Sequence, residues 1–181
     1  MNNATFFINQ LDATREMIEH YLEIMKPERL TISPPHFNHP HAQDTAFLRE
    51  SFGEWPAIRI LVHLLVYEEL AVVPEMEKFI LNIDGTVNWN IVDKTEQDYM
   101  AELPDTTDLI KRFRNVRGKQ IDLLKKCSDD TLNKTEKQTP WGKVLLNFVV
   151  NKTIQQTITH GSKLYQKAIY WDMVWDHLEN Q

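Results

Sequence analysis

Two histidines, His63 and His160, stand in the middle of segments whose apolar residues recur with helical spacing. At about 100° per residue, Arg59, Ile60, Val66, Tyr67 and Leu70 share the face of His63. Val149, Thr153, Gln156, Leu164, Lys167 and Trp171 lie near the face of His160. Both imidazoles are therefore expected to be at least partly buried. Gln156 precedes His160 by four residues, which puts the two side chains on one side of a helix within about 6 Å. Helices use this spacing when two side chains grip one ion. An imidazole on each of two facing helices begins a divalent-metal site suited to zinc, nickel, copper or iron, and a third protein ligand usually completes a catalytic one. Gln156 is a weak third ligand, because a neutral amide oxygen binds transition metals poorly. The bland reading stands beside this one: two core histidines hydrogen-bonded to a carbonyl or a carboxylate. Tyr67, one turn beyond His63, could donate a proton, bind a thiolate, or simply pack against the third helix. Arg59, one turn before His63, is the cation offered to a substrate.

Other candidates for the missing ligand are weaker. Glu68 and Glu69 turn well over 90° from the face of His63, too far to share an ion with it. His36, His39 and His41 fall in a proline-bounded segment that could fold over one end of the helices, or be exposed polar residues held extended by proline. Cys127 follows Lys125 and Lys126 but has no identifiable histidine partner, so it reads as an ordinary residue. Trp55, Trp141, Trp171 and Trp175 read more readily as core or interface than as a substrate cage.

Four long amphipathic segments must position these residues. The first runs from about Thr5 to Met25 and is closed by Pro27; Phe7, Leu11, Ile18, Leu22 and Met25 form its apolar face, with Asp12, Arg15, Glu16 and Glu19 largely outside it. The second runs from about Trp55 to Leu81, and Pro74 should kink or restart it by removing the bond to the carbonyl of Leu70. The third follows Pro104, with Asp105 or Thr107 as N-cap, and ends at Ser128-Asp129-Asp130. The fourth is expected to open at Thr139-Pro140, a cap followed by proline at the first helical position, and to run to about Trp175. Two long connections, residues 26–54 and 83–104, read as ordered coverings at the ends of the helices. The expected fold is all-α: an antiparallel four-helix bundle, one domain over residues 1–181, with long connections after helices one and two.

Composition bounds the function. A length of 181 residues suits a single domain that buries roughly 70% of its unfolded surface. One cysteine excludes an internal disulfide and suits a reducing compartment. A net charge of −6 with mixed signs leaves no basic footprint for nucleic acid. Apolar runs are too short to span a bilayer, and Met1-Asn2-Asn3-Ala4-Thr5 lacks the basic start of a signal peptide. A cytoplasmic protein is expected. Five glycines also favour helices over tightly turned sheets.

Beyond these spacings the chain resembles the DinB-like family. The stretch Gly53-Glu54-Trp55-Pro56-Ala57-Ile58-Arg59-Ile60-Leu61-Val62-His63-Leu64 carries a tryptophan, an apolar helix and then His-Leu, with an acidic residue, Glu68, five places after the histidine. Thr139-Pro140-Trp141-Gly142 and Thr159-His160-Gly161-Ser162 resemble the opening and the histidine motif of the family's last helix, and Arg114, Arg117 and the Trp89 region follow the usual layout between them. The resemblance implies a four-helix bundle, frequently a homodimer, often holding zinc or nickel through three histidines. It also implies, for some members, thiol-dependent transfer with a low-molecular-weight thiol. On these motifs His63 matches the first ligand and His160 the last, while Gln156 stands where the middle histidine belongs. The expectation is a divalent-metal-dependent S-transferase or hydrolase acting on a small molecule. The alternative is a metal-free, degenerate member, a homodimeric small-molecule-binding or stress-response module.

Overall fold

The computed structural model describes residues 3–34, 50–83, 85–102 and 105–179 of the 181, with side chains from residue 4 to residue 173. His36, His39 and His41, the candidates for a covering segment, lie outside the described residues. Helix α1 (Asn3–Ile24) forms where expected. Phe7, Leu11, Ile18 and Leu22 are all buried along it, and Pro27 opens a 3₁₀ turn (Pro27–Arg29) after it. Glu19 corrects the expectation that it faces outward: it is buried and accepts hydrogen bonds from Arg15 and, at 2.7 Å, from Arg114. A carboxylate on an apolar face is tolerable when two guanidiniums hold it.

Helix α2 (Ala57–Tyr67) starts after Pro56, which takes an extended conformation. Nine of its eleven residues are buried, and the two that are not are Arg59 and His63. The expected interruption near Pro74 takes the form of a π-helical turn (Glu68–Val72), in which the Val73 N–H donates to the Glu68 carbonyl five residues back. Helix α3 (Val73–Ile80) follows, with Pro74 in its first turn, where a missing N–H costs least.

The second connection is not a simple covering. Residues Trp89–Glu102 form helix α4, which packs against α2. Its start is capped by Asn88, whose side-chain oxygen accepts the Asn90 N–H at 3.1 Å. Only Val92 is buried on α4, so the segment carries almost no apolar periodicity to announce a helix.

Helix α5 (Thr106–Lys125) begins at the expected cap, where Asp105 accepts from the N–H groups of Thr107 and Asp108. Ser128 does not end this helix but caps the next, the short α6 (Asp129–Asn133).

The expected opening of the last helix is also corrected. Thr139 closes strand β1 (Glu136–Thr139), which pairs antiparallel with β2 (Gly142–Leu145) in the register Glu136↔Leu145 and Thr139↔Gly142. The Thr139 hydroxyl accepts the Trp141 N–H and donates to the Gly142 carbonyl, and Gly142 takes φ +98°, which favours glycine. Threonine followed by proline serves a hairpin turn here as well as it would a helix start. Helix α7 (Leu146–Glu179) then runs for 34 residues.

The fold is thus mostly helical with one small hairpin. Helix α1 lies against α5 and α7, and α2 lies against α4, α5 and α7. Gly161 of α7 packs against α1, and a Cβ there would collide with the Met17 side chain. At the centre, fully buried Arg117 ties four elements together. It donates to the Leu11 carbonyl and the Thr14 hydroxyl of α1, to Glu68 of the π-turn at 2.6 Å, and to Thr157 of α7. Gln120 donates to the second oxygen of Glu68 at 2.8 Å.

Candidate functional site

Arg59 and His63 escape burial because α2 turns that edge toward α4. There His63 Nδ1 lies 2.9 Å from Glu96 Oε2, and Arg59 Nε stands 3.8 Å from the other oxygen of Glu96. From α7, His160 comes up beside His63, with ring centroids 4.9 Å apart. The two imidazoles expected to face each other across helices two and four are brought together. Gln156 is half-buried on α7 and lines neither of the two cavities that flank this cluster.

Trp55 organises the cluster. Its indole stacks on His160 at 5.7 Å with ring planes 9° apart, meets His63 edge-on at 5.2 Å, and carries the Arg59 guanidinium over its face at 4.5 Å. It also lines both cavities. One, of about 620 Å³, is bounded by His63, Arg59, Glu96, Asp93, Gln97 and Met100 among others. The other, of about 440 Å³, contains His160, Lys163 and residues of the 50–54 segment. That segment is held down from α7: Lys163 packs against Gly53, which takes φ +65°, and buried Lys167 donates to the Phe52 carbonyl. Lys167 also sits over the Phe52 and Trp171 rings, and its burial brings its pKa down to about 7. The aromatic row continues from His63 through Tyr67 at 6.4 Å to Trp89 at a further 6.4 Å, with Trp141 against both.

The polar atoms differ sharply in how they are satisfied. His63 Nδ1 is tied to Glu96, a partner that orients the ring. His160 Nδ1 is buried with no hydrogen-bond partner. Burial, reinforced by His63 and Lys163 and opposed by Glu96, lowers its pKa to about 4, so the ring is neutral at physiological pH. The Tyr67 hydroxyl is likewise buried and unpartnered, and burial together with the Glu68 charge pushes its pKa upward. Tyr67 is therefore a poor source of phenolate, and its place between His63 and Trp89 is that of a wall.

Residues 10–162 match the DinB superfamily. The chain belongs to that superfamily. No curated protein and no solved structure matches it. The match runs from within α1 to the middle of α7 and includes both histidines, so a DinB motif assignment of His63 and His160 and the packing that joins them concern the same pair.

Whether a DinB-type metal suits these residues is decided by the donors present. Two neutral imidazoles are apt ligands, and the bare His160 Nδ1 is such a donor. The third position is the difficulty. Gln156 lines neither cavity, Glu96 is bound to His63, and among the described residues no three His, Cys, Asp or Glu side chains converge on one point. The described residues therefore do not by themselves supply three protein ligands for a resident ion.

Glu96 and the covering role of Trp55 were the parts missed from sequence. A helix drawn over residues 89–102 would have set Asp93, Glu96, Gln97 and Met100 on one face, the face that lines the larger cavity.

Proposed function

We propose that this DinB superfamily member binds a small molecule in the cleft between α2 and α4, with His63 as its proton acceptor. The observation that carries this reading is the His63–Glu96 hydrogen bond at the wall of a cavity of about 620 Å³, within the size range of small-molecule sites. A carboxylate behind Nδ1 fixes the direction in which Nε2 faces a ligand, as a proton acceptor requires. Trp55 supplies an apolar wall, Arg59 a positive charge, and Asp93 and Gln97 further polar contacts. A low-molecular-weight thiol, the cosubstrate the family resemblance implies, offers the S–H such an acceptor would take. Its use would also account for a chain whose own Cys127 is held protonated by burial and by Asp129, with a pKa near 11.

A second reading keeps the divalent ion, zinc or nickel, on His63 and His160 and makes the protein a transferase or hydrolase. The unpartnered, neutral His160 Nδ1 favours it. Water or substrate would then have to complete the coordination in place of Gln156.

Two measurements on purified, tag-free protein separate these readings. The first is elemental analysis of wild type, His63→Ala and His160→Ala after incubation with zinc or nickel. The second is titration with N-acetylcysteine, followed by tryptophan fluorescence. Metal near one equivalent that both variants lose would establish the second reading at the expense of the first. Metal-free protein that binds the thiol saturably, and loses it in His63→Ala, supports the cleft as proposed. Neither metal nor saturable binding would sink both.

We also read α1, α2, α5 and α7 as the four helices of an antiparallel bundle, one domain acting as a cytoplasmic homodimer. The stripe Ile158, Tyr165, Ile169 and Met173, exposed along α7, supports the dimer.

A further inference from the structure

A third cavity, of about 410 Å³, opens between α3, the 85–89 segment and the hairpin turn, and shares no lining residue with the His63 cleft. Glu75 lines it. Its side chain is only 1% exposed, and its Oε2 has no hydrogen-bond donor. The nearest cation, Lys78 Nζ, stands 4.0 Å away and donates instead to the Gln138 carbonyl at 2.6 Å, fastening the hairpin. Trp89 and Val87 give the cavity an apolar wall, and Thr86 and Gln138 stand at its polar side.

We propose that this cavity is a binding site for a small molecule carrying a planar amidinium or guanidinium group, held by Glu75 with its plane against Trp89. A desolvated carboxylate without a donor gains most from a charged one, and a planar cation supplies paired N–H groups together with a face for an indole. Lys78 does not cancel the attraction. Coulomb energy falls with distance, and the ligand would touch the carboxylate that Lys78 stands 4.0 Å from. Burial raises the Glu75 pKa, so a bound cation would also relieve the cost of keeping the carboxylate charged there.

The test is a titration with benzamidine and with its uncharged analogue benzamide, read from the backbone amide resonances of Thr86, Val87 and Thr139. Saturable shifts at these amides with benzamidine are expected, at least about tenfold weaker for benzamide. Glu75→Gln keeps the side-chain shape and should weaken benzamidine by a similar factor. The proposal is overturned if benzamidine produces no saturable shift there, or if benzamide binds as well. Equal affinity in a folded Glu75→Gln variant would overturn it too. Should that variant fail to fold, the comparison of the two ligands on the wild-type protein still decides.

Discussion

His160 is half-buried, its Nδ1 has no hydrogen-bond partner, and an indole is laid across the ring. Its pKa in the folded protein, about 4, lies below the ordinary histidine value of 6.5. The unfolded chain therefore binds the proton first as pH falls. Stability from the neutral ring is intact above pH 6.5 and is lost progressively down to about pH 4. Thermal denaturation of wild type should show a falling Tm across that window, and His160→Gln should flatten the slope. A proton NMR titration placing the His160 midpoint near 6.5 would refute the burial argument. His63 belongs to the opposite situation, since its Nδ1 is claimed by Glu96. Glu96→Gln keeps a hydrogen bond but removes the charge, so ligand binding in the cleft should weaken by about tenfold while the fold persists, as affinity and circular dichroism would report.

Among the elements, the buried Arg117–Glu68 pair joins α5 to the π-turn and both to α1 and α7. Removing one partner strands a charge. Arg117→Leu should cost about 3–5 kcal/mol in urea denaturation, and adding Glu68→Leu should recover much of that loss. Gly161 tests the helix contact: alanine meets the flexible end of Met17 and should cost under about 1 kcal/mol, whereas isoleucine should cost about 1–3 kcal/mol. Helices α1 and α5 were legible in the sequence because each buries a stripe that repeats every three or four residues, and α2 because its apolar run is interrupted only at Arg59 and His63, one turn apart. Helix α4 was not, because one buried valine makes no stripe. The hairpin was missed because Thr139-Pro140 satisfies two local rules at once, and the choice between them rests on Gly142, two residues further on. The site divides in the same way. His63 and His160 were legible because a histidine on an apolar face is conspicuous. Glu96 is one of several acids on a polar helix, and only packing singles it out.

At the scale of the whole molecule, what remains uncovered is informative. Ile158, Ile169 and Met173 are 50%, 43% and 68% exposed on the outer side of α7, spaced so that they fall along one line. If two copies meet along that line, Ile169→Glu should convert a dimer to a monomer in sedimentation at equal concentration, with the helical signal unchanged. A wild-type protein that already sediments as a monomer would remove the dimer reading. No described helix is long and apolar enough to cross a membrane, so the stripe does not belong to a spanning segment.

The π-turn at Glu68–Val72 has a further consequence, for anyone aligning or editing this chain. One surplus residue is absorbed there without lengthening the helix by a matching rise, so every side chain beyond it is out of phase by about 100° with a wheel drawn from Ala57. Glu75, Met76 and Phe79 lie beyond the turn and are buried. A relative with an unbroken helix should align only with a one-residue gap between 68 and 72. Deleting a single residue from the turn would remove the surplus and straighten the helix locally, leaving those three side chains on the core and the preceding half, His63 included, in its original phase.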